Sequence, residues 1–318
     1  MDWYEQRHTC TKAYEHHILV LLVNNTIQDV SQQENIGYDV IEGIIDRNIA
    51  TDIDWDTIKT IDVIGVDEIS IKKGHKDFVV IVTALIDGKL HILTVLKNRE
   101  KSTVKEFFRS IPKRLRRRVK AVCSDLYVGF MNAAKEVFGK KIIVADRFHV
   151  TKLYREGLDA LRKKEMKRLK KELPKHEYEK LKNVMWVLRK SPTELADDEL
   201  NVLKVLFKHS PDLKLAYALC LDLKNIFDMK IDQGLAKRKI KAWIRHVQKS
   251  GLTCFDRFIK TVATWMQEIT KYFVDRLSSG FVEGLNNKIK VIKRRCYGLT
   301  NIKHLFQRIK LDLEGYPC

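Results

Sequence analysis

The sequence predicts an α/β protein with a mixed sheet, a large all-helical insertion and a small helical region at its N-terminus. Three observations carry this prediction. β-rich runs are confined to residues 60–146, where the order of elements reads βββαβαβ. Helical periodicity fills residues 1–58, and no convincing strand is found between His149 and residue 271.

The charge balance favours a polyanionic partner. Lysine and arginine number 60 against 41 aspartates and glutamates, which leaves a net charge of +19 over 318 residues. Such an excess is typical of nucleic-acid-binding proteins, and a well-solvated basic surface is the alternative. The longest apolar run, Phe78–Ile86, is far shorter than the roughly 20 residues that span a bilayer. The opening MDWYEQRH has no apolar signal core, which argues against secretion.

The first sixty residues predict short helices. An apolar stripe runs through Lys12–Val23, and two shorter stripes flank a turn at Asn35-Ile36-Gly37 within Thr26–Arg47. This spacing resembles a helix-turn-helix, in which the second helix reads the DNA major groove. An ordinary helical hairpin is the alternative, because the second helix carries three acidic residues that would repel phosphates. These are Asp39, Glu42 and Asp46.

Five β-rich runs follow from Thr60. They read TIDVIGVDEIS, DFVVIVTALID, KLHILTVLK, VKAVCSD and KIIVAD. Asp87-Gly88 predicts a hairpin turn between the second and third runs. Ser102 is expected to cap a helix that Pro112 ends. A further helix is predicted over Tyr127–Phe138, between the fourth and fifth runs.

Residues 151–271 predict the all-helical insertion. Leu153–Glu172 has the pattern of a strongly basic amphipathic helix, and Glu177–Lys190 is expected to return beside it as a hairpin. Ser-Pro pairs at 191 and 210 predict two further helix starts. Trp243 and Trp265 lie on later helices, where core packing and stacking on an unpaired DNA base are both open. A final helical region begins near Ser278.

Aspartates close three of the predicted strands. Asp67, Asp125 and Asp146 each follow an apolar run, and strand ends in an open α/β sheet face the usual ligand crevice. Carboxylates held close together repel one another unless cations neutralise them, and oxygen ligands select hard metals such as Mg²⁺ or Mn²⁺. A turn or cap role for each aspartate is the alternative. The conjunction of strand order, acids and basic charge favours the metal site.

Four sequence blocks resemble those of a known enzyme family. They are VIGVDEIS with KKGH shortly after it, AVCSDLYVGF, VADRFHV, and SSGFVEGLNNKIKVIKRRCYGLTNIKHLFQRI. In these blocks the chain is similar to the DDE transposases of bacterial insertion elements, specifically the ISL-three family, from about Arg7 to Leu313. The last block is the most specific. The resemblance implies an RNase H-like sheet with a helical insertion before the final acid, which agrees with the strand order above.

The resemblance also implies a catalytic site. By motif, Asp67, Asp125 and Glu283 are the catalytic acids, which would hold two Mg²⁺ or Mn²⁺ ions. Such enzymes hydrolyse the phosphodiester at each element end and join the freed 3′-hydroxyl to target DNA. Asp146 and His149 match a D-x-x-H block and are expected to position metal ligands or DNA. For His149 the alternative is packing at a helix start.

The helix that carries Glu283 is expected to face the scissile phosphate. Asn286, Asn287 and Lys290 follow at helical spacing and share the face of Glu283. A solvated basic helix is the alternative. Further basic residues are expected to contact DNA phosphates. They are Arg114, Arg116, Arg117 and Arg118 before the fourth strand, and Lys288, Lys293, Arg294 and Arg295 in the last block.

The expected organisation has four parts. A helix-turn-helix-like DNA-binding region (1–58) precedes the first part of an RNase H-like core (59–150). The helical insertion (151–271) and the C-terminal core helices with the last acid (272–318) follow. The expected partner is double-stranded DNA, at element ends and target sites, with no membrane. The resemblance implies a homodimer on DNA and a cytoplasmic, nucleoid-associated location in a bacterium.

Three functions are open from the sequence. An active transposase is favoured because all three acids are present. An inactive or truncated relic would keep the DNA-binding surface without a working metal site. Longer family members begin with a cysteine-rich zinc ribbon, and the six scattered cysteines here have no such spacing. An RNase H-like nuclease of another class would explain the acids but not the GLNNKIK block or the insertion.

Overall fold

A computed structural model describes residues 9–70, 78–276, 280–296, 299 and 301–316. The chain divides into two compact units. The first comprises Met1–Ile143 and Ser279–Cys318, and the second comprises Val144–Ser278. Within the described residues, no helix combines the length and the apolar character needed to cross a bilayer.

Five strands form one mixed sheet. They are β1 (Val63–Ser70), β2 (Phe78–Ile86), β3 (Lys89–Leu96), β4 (Ala121–Ser124) and β5 (Ile143–Ala145). Their order across the sheet is β3-β2-β1-β4-β5. β2 pairs antiparallel with both β1 and β3, whereas β4 pairs parallel with β1. Asp87 and Gly88 have φ values of 50° and 75°, as a tight hairpin turn requires, so that prediction is confirmed.

Fifteen α-helices lie in the described part of the chain. They are α1 (Lys12–Leu22), α2 (Ile27–Glu34), α3 (Tyr38–Asn48), α4 (Lys101–Ser110), α5 (Lys113–Arg116), α6 (Val128–Phe138), α7 (Arg147–Glu172), α8 (Lys175–Tyr178), α9 (Val184–Val187), α10 (Asp197–His209), α11 (Pro211–Asp228), α12 (Gln233–Ser250), α13 (Asp256–Asp275), α14 (Gly280–Arg295) and α15 (Ile302–Glu314). The expected cap at Ser102 is wrong, because α4 begins at Lys101. The N–H of Glu100 is bound by the side chain of Asn98 at 3.0 Å, which turns the chain earlier.

Helices α14 and α15 cover one face of the sheet in the first unit. The buried cluster joins Ile69, Val79, Ile81, Ile92 and Val95 of the strands to Leu285, Ile289, Leu305, Phe306 and Ile309 of the helices. Alternate residues of a strand lie on the same face. Asp67 therefore lies on the face that also carries Ile69, the face under α14.

Helices α1, α2 and α3 pack together and against α15, as Leu311 joins their buried core. Asp46 of α3 accepts a hydrogen bond from Gln307 (2.8 Å) and pairs with Lys303 (2.9 Å), and these contacts, that of Lys303 foremost, lower the pKa of Asp46. Glu42 lies 3.4 Å from His304. Asp46 and Glu42, two of the three acidic residues that argue against DNA recognition by α3, therefore face α15. A DNA-reading role for α3 stays a prediction.

Arg308 of α15 fastens the N-terminal helices. Its side chain is buried, and Nη2 donates to the carbonyl oxygens of Leu22 (3.0 Å) and Asn25 (2.6 Å). Leu22 is the last residue of α1 and Asn25 follows the helix, so neither carbonyl oxygen accepts an α-helical hydrogen bond. The N-terminal helices are thus bound to the C-terminal end of the chain by hydrogen bonds as well as by apolar contact.

The second unit is helical from Arg147 to Asp275, as the sequence predicts. Two expectations are wrong in detail. α7 begins at Arg147 rather than Leu153, because Asp146 caps its N-terminus. Residues 177–190 do not form one helix. Instead α8, a single 3₁₀ turn and α9 follow one another, and Asn183 interrupts the run with a φ of 60°.

Trp243 and Trp265 belong to the core of the second unit. Trp243 is 4% exposed, and its Nε1 donates to the carbonyl oxygen of Leu219 at 2.8 Å. Phe255 and Phe258 each meet the ring of Trp243 edge-on at 5.6 Å. Trp265 is buried as well. Stacking of either ring on a DNA base is therefore wrong, and core packing is their role.

Candidate active site

Asp67 lies within β1 rather than at its end, because the antiparallel pairing with β2 extends the strand to Ser70. The parallel pairing with β4 stops earlier, at Val66 and Ser124. Asp67 therefore stands where the parallel part of the sheet ends. Its Oδ1 accepts a hydrogen bond from the N–H of the next residue at 2.7 Å, and its Oδ2 accepts one from Nδ2 of Asn286.

Asp125 directly follows β4. Because Ser124 pairs with Val66, Asp125 and Asp67 are next in register on neighbouring parallel strands. Neighbouring strands lie about 4.8 Å apart, so the register brings two of the predicted acids to one edge of the sheet. Both are half-buried. Oδ1 of Asp125 accepts a hydrogen bond from the N–H of Tyr127 at 3.0 Å.

Asn286 is the contribution of α14 to this edge. The residue is 8% exposed, and its Nδ2 donates to Asp67. Its Oδ1 is buried and has no hydrogen-bond partner among the described residues. A buried amide oxygen without a partner is unfavourable, and amide and carboxylate oxygens are ligands for hard cations. The pair Asp67–Asn286 thus presents oxygen atoms suited to such a cation.

Glu283 lies in α14, one turn before Asn286, so the two positions are on one side of the helix. Its side chain is outside the described residues. Among the side chains that the structure describes, no group of three or more His, Cys, Asp or Glu has metal-binding geometry. The three-acid ligand set therefore stays a prediction.

The D-x-x-H block forms the start of α7 in the second unit. Asp146 is buried, and its Oδ1 accepts a hydrogen bond from the N–H of Phe148 at 3.1 Å as the helix cap. Nε2 of His149 lies 3.9 Å from Oδ2 of Asp146. The spacing of the block is thus that of a capping residue and a histidine on the first turn. A role of either residue toward metal or DNA stays a prediction.

Lys293 extends the contact between α14 and β1. Its Nζ donates to the carbonyl oxygen of Ser70 at 2.5 Å, at the end of the strand that carries Asp67. Burial, and next the charge of Arg294, lower the pKa of Lys293. Lys293 therefore holds the helix to the strand, which is a different task from the predicted phosphate contact.

Two of the other basic residues of α14 bind protein oxygen atoms, although Lys288 is also exposed. Lys288 donates to the carbonyl oxygen of Asp312 at 2.7 Å, and Arg295 pairs with the buried carboxylate of the same residue. Lys290 and Arg294 are exposed to solvent, as is the neutral Asn287.

The arginine cluster before β4 is partly engaged in holding the fold. Arg114 donates to the carbonyl oxygen of Ile58 at 2.8 Å, and Arg118 to that of Lys59 at 3.4 Å. Both contacts secure the segment that leads into β1. The other members are Arg116, which is half-buried, and Arg117, which is exposed.

Arg99 was not identified from the sequence. Its guanidinium lies 4.7 Å from the ring centre of Phe78 and 5.3 Å from that of Tyr127, and Nη1 donates to Glu68 at 3.2 Å. Glu68 directly follows Asp67, and Tyr127 binds the second acid through its N–H. Arg99 thus contacts a residue beside each of the two acids, Glu68 beside Asp67 and Tyr127 beside Asp125. A single arginine in the loop before α4 belongs to no motif that would have pointed to it.

Comparison with known proteins identifies the family. The model of the ISL3-type DDE transposases, described as Transposase, matches residues 64–309. The transposase for insertion sequence element IS1001 of Bordetella parapertussis is 25% identical over 299 residues, which cover 93% of this chain and 71% of the relative. The transposase for element IS1557 of Mycobacterium tuberculosis is 23% identical over 336 residues, with coverages of 99% and 74%. Because the family model matches most of this chain, the chain belongs to the ISL3-type DDE transposases of insertion sequences, a family that acts on DNA in transposition.

Proposed function

We propose that this protein hydrolyses the phosphodiester bond at the ends of its element and transfers the freed 3′-hydroxyl to target DNA. The observation that carries the proposal is the register of β1 and β4, which supports a common location for Asp67 and Asp125. α14 adds Asn286 beside Asp67 and carries Glu283 one turn earlier. The three proposed acids all belong to the first unit.

The proposed architecture is an RNase H-like fold. Three consecutive antiparallel strands, a fourth strand parallel to the first and a fifth at the sheet edge support it. The helical second unit enters the chain between β5 and α14, before the proposed last acid. We include in the proposal the four-part division at residues 58, 150 and 271.

Asp67, Asp125 and Glu283 would hold two Mg²⁺ or Mn²⁺ ions. An all-oxygen donor set suits hard cations. The buried Oδ1 of Asn286, which lacks a hydrogen-bond partner among the described residues, offers one more oxygen next to Asp67. When bound, such ions neutralise charge at the phosphate and make the attacking oxygen a better nucleophile.

The protein residues hold the reacting groups in place. Asn286 fixes Oδ2 of Asp67, and the N–H of Tyr127 fixes Oδ1 of Asp125, so neither carboxylate is free to rotate. Water and then the 3′-hydroxyl of the element end are the nucleophiles, so no side chain needs to form a covalent bond to DNA. Holding reactants in one geometry is itself a large contribution to rate.

Double-stranded DNA is the proposed substrate, at element ends and target sites. Exposed Arg117, Lys290 and Arg294 support phosphate contacts from solvent. The bound basic residues would shape the surface rather than grip DNA directly, and Asp146 and His149 would position the substrate. A homodimer on DNA, a DNA-binding role for residues 1–58 and nucleoid association in a bacterium complete the proposal.

The test compares Asp67→Ala with a control, Glu106→Gln, at an exposed carboxylate of α4, on labelled duplexes that carry the DNA flanking the gene on each side. With Mg²⁺ present, we expect the parent and Glu106→Gln to nick the duplex near one end of the element. Asp67→Ala should bind the duplex as the parent does but leave it intact. Equal nicking by the parent and Asp67→Ala would exclude the proposed role of this acid.

The same assay decides between an active enzyme and a relic. A parent protein that binds the flanking duplexes but does not nick them with Mg²⁺ or Mn²⁺ would identify a DNA-binding relic. Nicking that persists after a chelator has removed divalent ions would contradict the metal site while leaving DNA cleavage intact.

A further inference from the structure

A groove of about 550 Å³ runs along α7 in the second unit. One wall is the helix from Phe148 to Arg162, a length of about 21 Å at 1.5 Å per residue. The other wall comprises Met185, Leu188 and Arg189, in and after α9. We refer to it as the α7 groove. Its size is within the range of ligand-binding clefts.

The α7 groove carries positive charge that the protein does not neutralise. Its two acidic residues are already paired: Asp159 with Arg162 at 2.7 Å, and Glu156 with Arg257 at 3.6 Å. Lys152 and Arg155 also line the groove and make no hydrogen bond or ion pair with any residue that the structure describes. The groove is therefore electropositive and suits a polyanion.

Two large aromatic side chains are exposed in or beside the α7 groove: Phe148 is a lining residue, and Trp186 lies outside the lining but against Arg189, which is part of it. Phe148 lines it and is 44% exposed. Trp186, next to the lining residue Met185, is 56% exposed, which is the largest exposed fraction among the aromatic residues described. The guanidinium of Arg189 lies 4.9 Å from the centre of the Trp186 ring. Exposed rings beside unpaired cations are the arrangement by which proteins bind single-stranded nucleic acid.

We propose that the α7 groove binds an unpaired stretch of a DNA strand, with its phosphates at Lys152 and Arg155 and a base stacked on Trp186. An unpaired stretch is favoured over a duplex because the faces of paired bases are already covered by their neighbours in the stack. The proposal rests on the proposed function in one respect, that the polyanion is DNA. It adds which form of DNA this unit recognises.

The test uses a fluorescent duplex with an unpaired tail of about eight thymidines, a length typical of single-strand grooves, and the same duplex with blunt ends. The parent should bind the tailed duplex more tightly. Trp186→Ala should weaken binding of the tailed duplex about 10-fold, since stacking of one base is typically worth that much or more, and leave the blunt duplex unaffected. Trp186→Phe keeps a stacking ring and should bind the tailed duplex almost as the parent does.

A second readout separates stacking from a general loss of charge. The tail should quench tryptophan fluorescence of the parent, and Trp186→Phe should lose that quenching while it keeps its affinity. Arg155→Ala should weaken tail binding and reduce the slope of log affinity against log salt by about 0.7. Lys249→Ala, an exposed lysine outside the groove, is the control and should match the parent.

Two outcomes would overturn the proposal: no preference of the parent for the tailed duplex, or equal tail binding by the parent and Trp186→Ala. Either result would leave the nicking assay with Asp67→Ala untouched, so the proposed function would stand. A third outcome is that the parent does not nick DNA, while its preference for the tailed duplex is lost in Trp186→Ala and weakened in Arg155→Ala. The groove is then a nucleic-acid site on a protein without that catalytic activity.

Discussion

The amide of Asn286 has two different environments at its two ends. Nδ2 donates to the carboxylate of Asp67, whereas Oδ1 is buried without a hydrogen-bond partner in the described part of the chain. Leaving such an oxygen unpaired costs about 1–3 kcal/mol. A bound metal ion, or a hydrogen-bond donor from the substrate, would offset this free-energy cost by binding Oδ1. Asn286 is therefore the residue on which the proposed site depends most, after the acids themselves.

We expect Asn286→Ala to reduce the rate of Mg²⁺-dependent nicking by about 10- to 100-fold, as is typical when a residue that orients a metal ligand is lost. Binding of the duplex should not change, because the side chain is buried beside Asp67. Asn201→Ala, at an exposed asparagine of α10 in the second unit, is the control. Equal losses in the two variants, measured in single-turnover assays, would contradict a specific role for Asn286.

Helices α4 and α6 are joined by a carboxylate shared between two lysines. Glu136 of α6 pairs with Lys101 and, at 2.5 Å, with Lys105 of α4. These hydrogen bonds, that of Lys101 foremost, lower the pKa of Glu136 from 4.5 to about 2. Phe108 and Phe138 meet edge-on between the same helices at 5.1 Å. The pair of helices is thus held by an apolar contact that is insensitive to pH and by an ionic one that is not.

The lowered pKa of Glu136 predicts how the stability of the fold responds to acid. A carboxyl whose pKa is lower in the folded state stabilises that state above about pH 4.5, and this contribution is lost as the pH falls from there through about 2. Glu136→Gln should therefore melt at a lower temperature than the parent near neutral pH, and the difference should shrink steadily in acid and vanish only below about pH 2. Thermal unfolding across this range measures it.

Glu106→Gln is the control for this experiment, because Glu106 is an exposed carboxylate on α4. Its melting temperature should follow that of the parent at every pH. A Glu136→Gln variant whose deficit persists unchanged in acid would mean that the side chain stabilises the helices by packing rather than by charge.

Over the whole molecule, some basic side chains bind protein oxygen atoms and others have no such partner among the described residues. The net charge is +19, yet Arg114, Arg118, Lys288 and Arg295 all bind protein oxygen atoms. A count of basic residues therefore overstates the number available to DNA. Binding of DNA should depend most on the basic residues without a protein partner among the described residues, and it should weaken steeply with salt because phosphate contacts release counterions.

The double variant Arg117→Ala/Arg294→Ala tests this division. If each arginine contacts one phosphate of a duplex, the slope of log affinity against log salt should become shallower by about 1.8. Lys180→Ala removes a lysine that is already paired with Glu177 at 2.6 Å, and its slope should equal that of the parent. Fluorescence anisotropy over a salt series provides the measurement, and an unchanged slope in the double variant would contradict the assigned contacts.

The sequence predicts strands and helices well where the pattern is local. Asp125 follows its strand as predicted, because four buried residues in a row define β4. Asp67 was misplaced at a strand end, since the length of β1 depends on pairing with β2 and not on its own apolar run. Asn286 contacts Asp67, and Arg99 contacts Tyr127, although the partners lie far apart in the chain. Local sequence patterns therefore cannot predict these two contacts.

The hydrogen bond between Asn286 and Asp67 joins positions 219 residues apart. During synthesis, the strand that bears the aspartate leaves the ribosome long before the amide that binds it. Contacts of such long range form late in folding, since a large loop must close first. Any polypeptide whose translation stops before α14 would lack this partner, so we expect the proposed DNA cleavage to be confined to molecules that have been translated at least through α14.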